Sequence, residues 1–257
     1  MVGQALATAG WARFGPDPAL RRWAAAARPL ALQAIAISTE AWRCGGTWFV
    51  GVDALANDAH GAVGGIPLRG LAAQAVADQF GPQDFHRAQL SATRPGYPQP
   101  SADETDAAYR YRLNRDAAHI DGILPIGPNR RRMIREPHGF VLGIPLTESD
   151  PGAAPLVVWE GSQNIIAQAF RATLAPHDPA QWSEVDVTDA YHAARAQVFD
   201  TCPRRILHAS PGEAILLHRH LLHGVSSWAA GATAPPDGRI IAYFRPQLAS
   251  VSDWLDA

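Results

Sequence analysis

Lysine is missing from this chain altogether: all 22 basic residues are arginine. The absence reflects residue usage, since nothing in folding forbids a surface lysine. Surplus charge is also missing, because 24 acidic residues nearly balance the arginines and leave a net −2. Such a balance excludes a bulk electrostatic pull toward nucleic acid or an anionic membrane. Cysteine is scarce, with only Cys44 and Cys202. Two distant cysteines exclude a disulfide framework and lack the paired spacing of a zinc site, which fits a reducing cytoplasm. No long apolar run is present. The opening Met1 to Ala7 lacks the basic start and apolar stretch of a signal peptide, and Leu30 to Ser38 is too short to span a bilayer. Glycine-rich phosphate loops, a Gly-x-Ser-x-Gly elbow, a nucleotide fingerprint, internal repeats and low-complexity blocks are likewise absent.

What is present suffices for a core. A hydrophobic content of 47% over 257 residues predicts one domain, 1–257. Residues up to about 104 read as a helical and loop layer. Leu20, Trp23, Ala24 and Ala27 recur at helical spacing between Asp17 and Ala41, with Pro29 predicting a break into two helices. A β-prone run from Thr47 to Val52, a short helix from Leu71 to Phe80 and a proline-rich exposed loop from Pro95 to Glu104 follow. Beyond it, strands separated by turns predominate. Tyr109, Tyr111 and Leu113 alternate with polar neighbours and predict a strand leading into His119. Phe140 to Leu146, Leu156 to Trp159, Ala214 to Leu217 and Arg239 to Phe244 read as further strands. Helices interrupt over Gln163 to Leu174 and over Thr188 to Asp200, the second with Thr188 as its cap. The expected fold is mainly β with helices: an N-terminal helical layer on a jelly roll or barrel.

Chemistry concentrates in three residues. His119 and Asp121 stand two apart, so on an extended strand both side chains face one way and can grip one ion. His223, far downstream, adds a second imidazole. Two histidines and one carboxylate on one face of a metal leave positions open, which suits a non-haem Fe(II) oxygenase.

In this order, the chain resembles the phytanoyl-CoA dioxygenase-like family of Fe(II)/2-oxoglutarate-dependent oxygenases over about residues 105 to 247. The resemblance rests on the segments Asn114 to Asp121, Pro155 to Gln163, Pro211 to Gly224 and Arg239 to Tyr243. It implies a double-stranded β-helix (jelly-roll, cupin-like) core, with His119, Asp121 and His223 as iron ligands. It also implies Arg239 as the partner of the distal carboxylate of the cosubstrate, 2-oxoglutarate. A guanidinium fork matches a carboxylate bidentately. Arg245, on the same strand face by period two, is the alternative anchor. The family often carries Ser two residues after the distal His; here that position is Val225, and Ser226 or Ser227 would have to substitute. The implied reaction uses O2, releases succinate and CO2, and hydroxylates an unactivated C–H bond of a small molecule. Halogenation is disfavoured, because Asp121 supplies the carboxylate that halogenating relatives lack.

Other readings stay open. His218 and His220 invite a zinc site with His223, although a regular strand would place those two on one face and His223 on the other. A silent barrel that binds without turnover, or a zinc hydrolase, could use the same three residues. Arg130, Arg131, Arg132 and Arg135 either form a solvated turn or attract an anionic substrate. Arg110, Arg112 and Trp159 are further candidates for contact with substrate or cosubstrate.

Overall fold

The computed structural model describes residues 2–102 and 104–256. A short helix α1 (Val2–Thr8) leads into strand β1 (Trp11–Phe14), then helix α2 (Pro18–Ile37). Asp17 starts α2: its Oδ1 accepts from the N–H groups of Ala19 (2.7 Å) and Leu20 (3.3 Å), with Pro18 in the first turn. Its Oδ2 accepts from Leu71 N at 2.8 Å, so one carboxylate holds the starts of two helices. Pro29 does not break α2. The buried stripe Leu20, Trp23, Ala24, Ala27 and Ala31 runs past it, and that packing offsets the missing hydrogen bond, a cost of about 3 kcal/mol.

Strand β2 (Trp48–Gly51), helix α3 (Leu71–Phe80) and strand β3 (Gln89–Thr93) follow. The first 104 residues therefore supply three strands besides their helices. β1 and β3 are only four and five residues long, and their pairing with β9 and β11 reveals them.

Helix α4 (Asp106–Asn114) replaces the strand expected over Tyr109 to Leu113. Five alternating residues fit either period, and Thr105 settles the matter by capping Ala108 N through its hydroxyl at 3.3 Å. Tyr111 turns inward and donates its hydroxyl to Ala118 O at 2.7 Å. The chain continues through the hairpin β4 (Ile123–Ile126) and β5 (Arg131–Ile134), then β6 (Phe140–Pro145), β7 (Leu156–Trp159) and α5 (Ser162–Leu174). Helix α6 (Thr188–Thr201), β8 (Arg204–Leu207), β9 (Ala214–His218), β10 (His223–Val225), β11 (Arg239–Phe244) and α7 (Val251–Asp256) complete it. Thr188 is the first residue of α6 and Val187 its cap; Asp186, one residue earlier, accepts from Thr188 N at 2.9 Å.

Two antiparallel sheets face each other, one in the order β1-β9-β6-β11-β3-β2 and the other β10-β7-β8. Period-two alternation sorts their side chains. Leu142, Ile144, Leu216, Ile240 and Phe244 point outward to Leu20 and Trp23 of α2, while Val141, Ile215 and Leu217 point inward to meet Leu156 and Val158 of the small sheet. Val157 and Trp159, on the other face of β7, pack against Ile166, Phe170 and Tyr191 of α5 and α6. The result is a sheet-rich molecule with helices on both outer faces. Among the described residues, no helix is long and apolar enough to cross a membrane.

Candidate metal centre

The small sheet is extended by one residue pair: His119 N donates to His223 O at 2.8 Å and His223 N to His119 O at 2.9 Å. This exchange brings together side chains about a hundred residues apart in sequence. Upstream, Asp116 and Ala117 both take positive φ (51° and 52°), which redirects the chain after α4 into the extended run at His119. Arg204 forks onto the buried Asp116 carboxylate at 2.8 and 2.7 Å, fixing that bend. On the other side, Ser162 Oγ accepts Leu222 N at 2.9 Å and holds the residue before His223.

His119 Nε2 lies 3.5 Å from Asp121 Oδ1, and His223 Nε2 lies 3.9 Å from the same oxygen. One ligand atom from each of the three falls within 4.8 Å of the others, and among the described residues no other such group of three occurs. Each imidazole is oriented from behind by its own backbone. His119 Nδ1 bonds Ala117 O at 3.0 Å and His223 Nδ1 bonds Leu221 O at 2.9 Å. A carbonyl can only accept, so Nδ1 carries a proton in both rings and Nε2 is the atom turned to the centre, as metal-ligating histidines require.

Electrostatics agree. Burial opposes charge on Asp121, but the hydrogen bond to His119 and the positive charges of Arg245, His223 and His119 hold its carboxyl well below the usual range. Burial, with the charge of His119, pushes His223 down to about 4, so it is neutral near pH 7. His119 shifts upward: partial desolvation of its half-exposed ring works against its charge and the Asp121 carboxylate outweighs it. A metal here would displace that proton.

The surrounding cavity, about 60 Å³, is walled by Trp48, Gln89, Ser91, Leu156, Tyr243 and Arg245 besides the three central residues. Arg245 Nη1 sits 3.3 Å from Asp121 Oδ2 and acts as that carboxylate's cationic neighbour. Arg239 is placed elsewhere. It lies buried in the wall of an adjoining cavity that shares Leu156 and Tyr243 with the first. Its Nη1 has no hydrogen-bond partner, and neither does the Oγ1 of Thr93, its cross-strand neighbour, nor the buried Tyr97 hydroxyl. Three orphaned polar groups in one region mark a place where a polar ligand is wanted.

The other candidates disperse. Ser226 Oγ accepts from Arg204 at 3.3 Å and so belongs to the Asp116 bend. β9 ends at His218, and a turn precedes His223, so no regular strand joins them. His220 packs edge-on against Trp254 with ring centroids 4.2 Å apart, away from the centre. Trp159 faces Phe199 on the helical side. Arg112 pairs with Glu104, and Arg110 is exposed. Trp48, Gln89, Ser91 and Tyr243 were missed from sequence. Only Tyr243, in period two with Arg239, carried a local signal.

No family model and no curated protein matches the chain. Solved structures do. The non-haem alpha-ketoglutarate-dependent carbocyclase SnoK from nogalamycin biosynthesis superimposes with a TM-score of 0.50 and 10% identity, over 95% of this chain and 83% of that one. The epimerase SnoN, solved in complex with Fe3+, alpha ketoglutarate and nogalamycin RO, gives a TM-score of 0.50 at 10% identity, over 95% and 82%. At such identities the likeness is one of fold.

Proposed function

We propose that this protein is a non-haem Fe(II)- and 2-oxoglutarate-dependent dioxygenase of the phytanoyl-CoA dioxygenase-like kind, built on a double-stranded β-helix. It acts on a small molecule in a reducing cytoplasm. The observation that carries the reading is the convergence of two imidazole Nε2 atoms and one ionised carboxylate, each ring locked from behind, beside a buried arginine with an unpaired nitrogen. The donor set fits Fe(II), and His119, Asp121 and His223 would hold it. Arg239 would anchor the distal carboxylate of 2-oxoglutarate, with Thr93 and Tyr97 donating to the same group.

When bound, the iron with 2-oxoglutarate supplies O2 activation, coupling decarboxylation to succinate and CO2 with hydroxylation of the substrate C–H bond. The protein's part is positional. Ala117 O and Leu221 O fix the tautomers of the two rings, while Arg245 keeps Asp121 ionised and turned inward. Val141 and Leu156 line the inner wall and exclude water.

The test is an anaerobic Fe(II) titration with 2-oxoglutarate, following the visible charge-transfer band of the chelate. The band should form in the wild type, vanish in His223→Ala and require at least tenfold more 2-oxoglutarate in Arg239→Ala. Tight metal binding without a band would refute the assignment and favour a zinc hydrolase or a silent barrel.

A further inference from the structure

A second cavity, about 440 Å³ and of small-molecule size, opens between α4, the β4–β5 hairpin and α6. His119 is the residue whose wall position it shares with the metal cavity. Its lining carries Arg130, Arg132 and Arg195 together with Tyr111 and Tyr191, and no carboxylate residue is among the residues that line it.

The surrounding acids are already engaged. Arg131 pairs with Asp186 and Asp189, Arg135 with Glu184, and Arg112, also in the wall, with Glu104. Alternation along β5 explains the division: Arg131 faces the start of α6 and its acids, while Arg132 faces the cavity. Among the described residues, Arg130, Arg132 and Arg195 have no ion-pair partner. Arg195 is held over the rings of Tyr111 and Tyr191, its guanidinium carbon 4.8 and 5.1 Å from their centroids, so its position is set by the cavity walls.

Three guanidinium groups, two from the β4–β5 hairpin and one from α6, offer more donors than the single bidentate fork that a carboxylate ordinarily takes. A dianionic tetrahedral group offers three oxygens to three arginines. We propose that the prime substrate of the site is a small phosphate monoester, its phosphate seated on Arg130, Arg132 and Arg195 and its body extending past His119 toward the metal. This rests on the oxygenase reading for the word substrate, though not for the anion site itself. Arg239 lies in a different cavity, so a phosphate here does not compete with 2-oxoglutarate.

The experiment uses phenyl phosphate as probe and benzoate as the carboxylate comparison, titrated calorimetrically at low ionic strength into the wild type and an Arg130→Gln/Arg132→Gln variant. The Fe(II)·2-oxoglutarate band is recorded in both proteins. Phenyl phosphate should bind the wild type more tightly than benzoate does, lose at least tenfold in affinity in the variant, and shift the band of the wild type only. The variant should form the band itself normally. Equal binding to both proteins, no binding to the wild type, or a preference for benzoate would overturn the phosphate assignment. Arginine-dependent binding that leaves the band unmoved would make the site remote from the reaction and overturn its role for substrate. Absence of the band from the wild type, with phosphate binding intact, would instead sink the oxygenase reading.

Discussion

Replacing Gly224 by alanine is a stringent test of how the metal centre is assembled, because it adds one methyl group and removes no ligand. A Cβ at this position would lie 2.1 Å from Asp116 O and 3.3 Å from Ala118 Cα. Carbon and oxygen settle no closer than about 3.3 Å. The two strands must therefore part by about 1 Å, and the obstacle is backbone that cannot swing aside. The separation falls on three hydrogen bonds: Val225 N to Asp116 O at 2.9 Å and the two between His119 and His223. At about 1 kcal/mol each, the loss is about 2–3 kcal/mol, or a fall in Tm of roughly 5–10 °C for a chain of this size. The same movement carries the two Nε2 atoms apart by a distance far larger than the ~0.2 Å that metal coordination tolerates. Iron affinity should fall by about tenfold or more. Thermal unfolding by circular dichroism and competitive metal titration read the two effects, with Gly15→Ala as control, since a Cβ there meets nothing within 4 Å. A Gly224→Ala protein with wild-type melting and wild-type metal affinity would refute the close strand pairing at His119 and His223.

Acid should destabilise the metal-free protein well before its carboxylates titrate. Burial pushes His218 and His223 down to about 4. Between that value and the unfolded value of about 6.5, the unfolded chain binds more protons, so stability falls as pH is lowered through this window. Each histidine contributes about 2 kcal/mol at pH 5; urea unfolding at pH 7.5 and pH 5 should show a loss of that order, and a flat profile would contradict the burial of these rings. Pro29→Ala should raise stability by about 1 kcal/mol, because an exposed interior proline forgoes a helix hydrogen bond and the added freedom of the unfolded chain offsets only part of the gain. A lower urea midpoint for this variant would mean that the proline ring packs in a way the continuous helix does not explain.

Much of the site could be read from sequence because its chemistry is local. His119 and Asp121 announce themselves by their spacing, and the strand that carries Arg239 is introduced by Gly238. The helix over Asp106–Asn114 escaped because Tyr109, Tyr111 and Leu113 satisfy a period of two as well as one turn and a half of helix, and their neighbours did not decide between them. The walls escaped for a different reason. Trp48, Gln89 and Ser91 reach the cavity only because β2 and β3 pair beside β11, and a register between strands more than a hundred residues apart leaves no mark in either segment. Charge was legible as composition and not as arrangement. The arginines from 130 to 135 look alike in a row, and the structure divides them into two that meet acids and two that do not.

The position of β1 and β3 has a consequence for how the chain is made. β1 pairs with β9, and β3 pairs with β11, each partner lying far downstream in the chain. β1 thus waits unpaired, and the β2–β3 pair waits with one edge open, until these distant partners are made. Until β11 arrives, the wall that will hold Arg239 and Tyr243 does not exist, so the metal centre cannot close on a nascent chain. Long-range pairing of this kind slows folding and leaves apolar edges exposed meanwhile. Heterologous expression should therefore benefit from lowered temperature and from chaperones that bind extended apolar segments, and a chain interrupted before residue 239 should aggregate rather than accumulate as a folded intermediate.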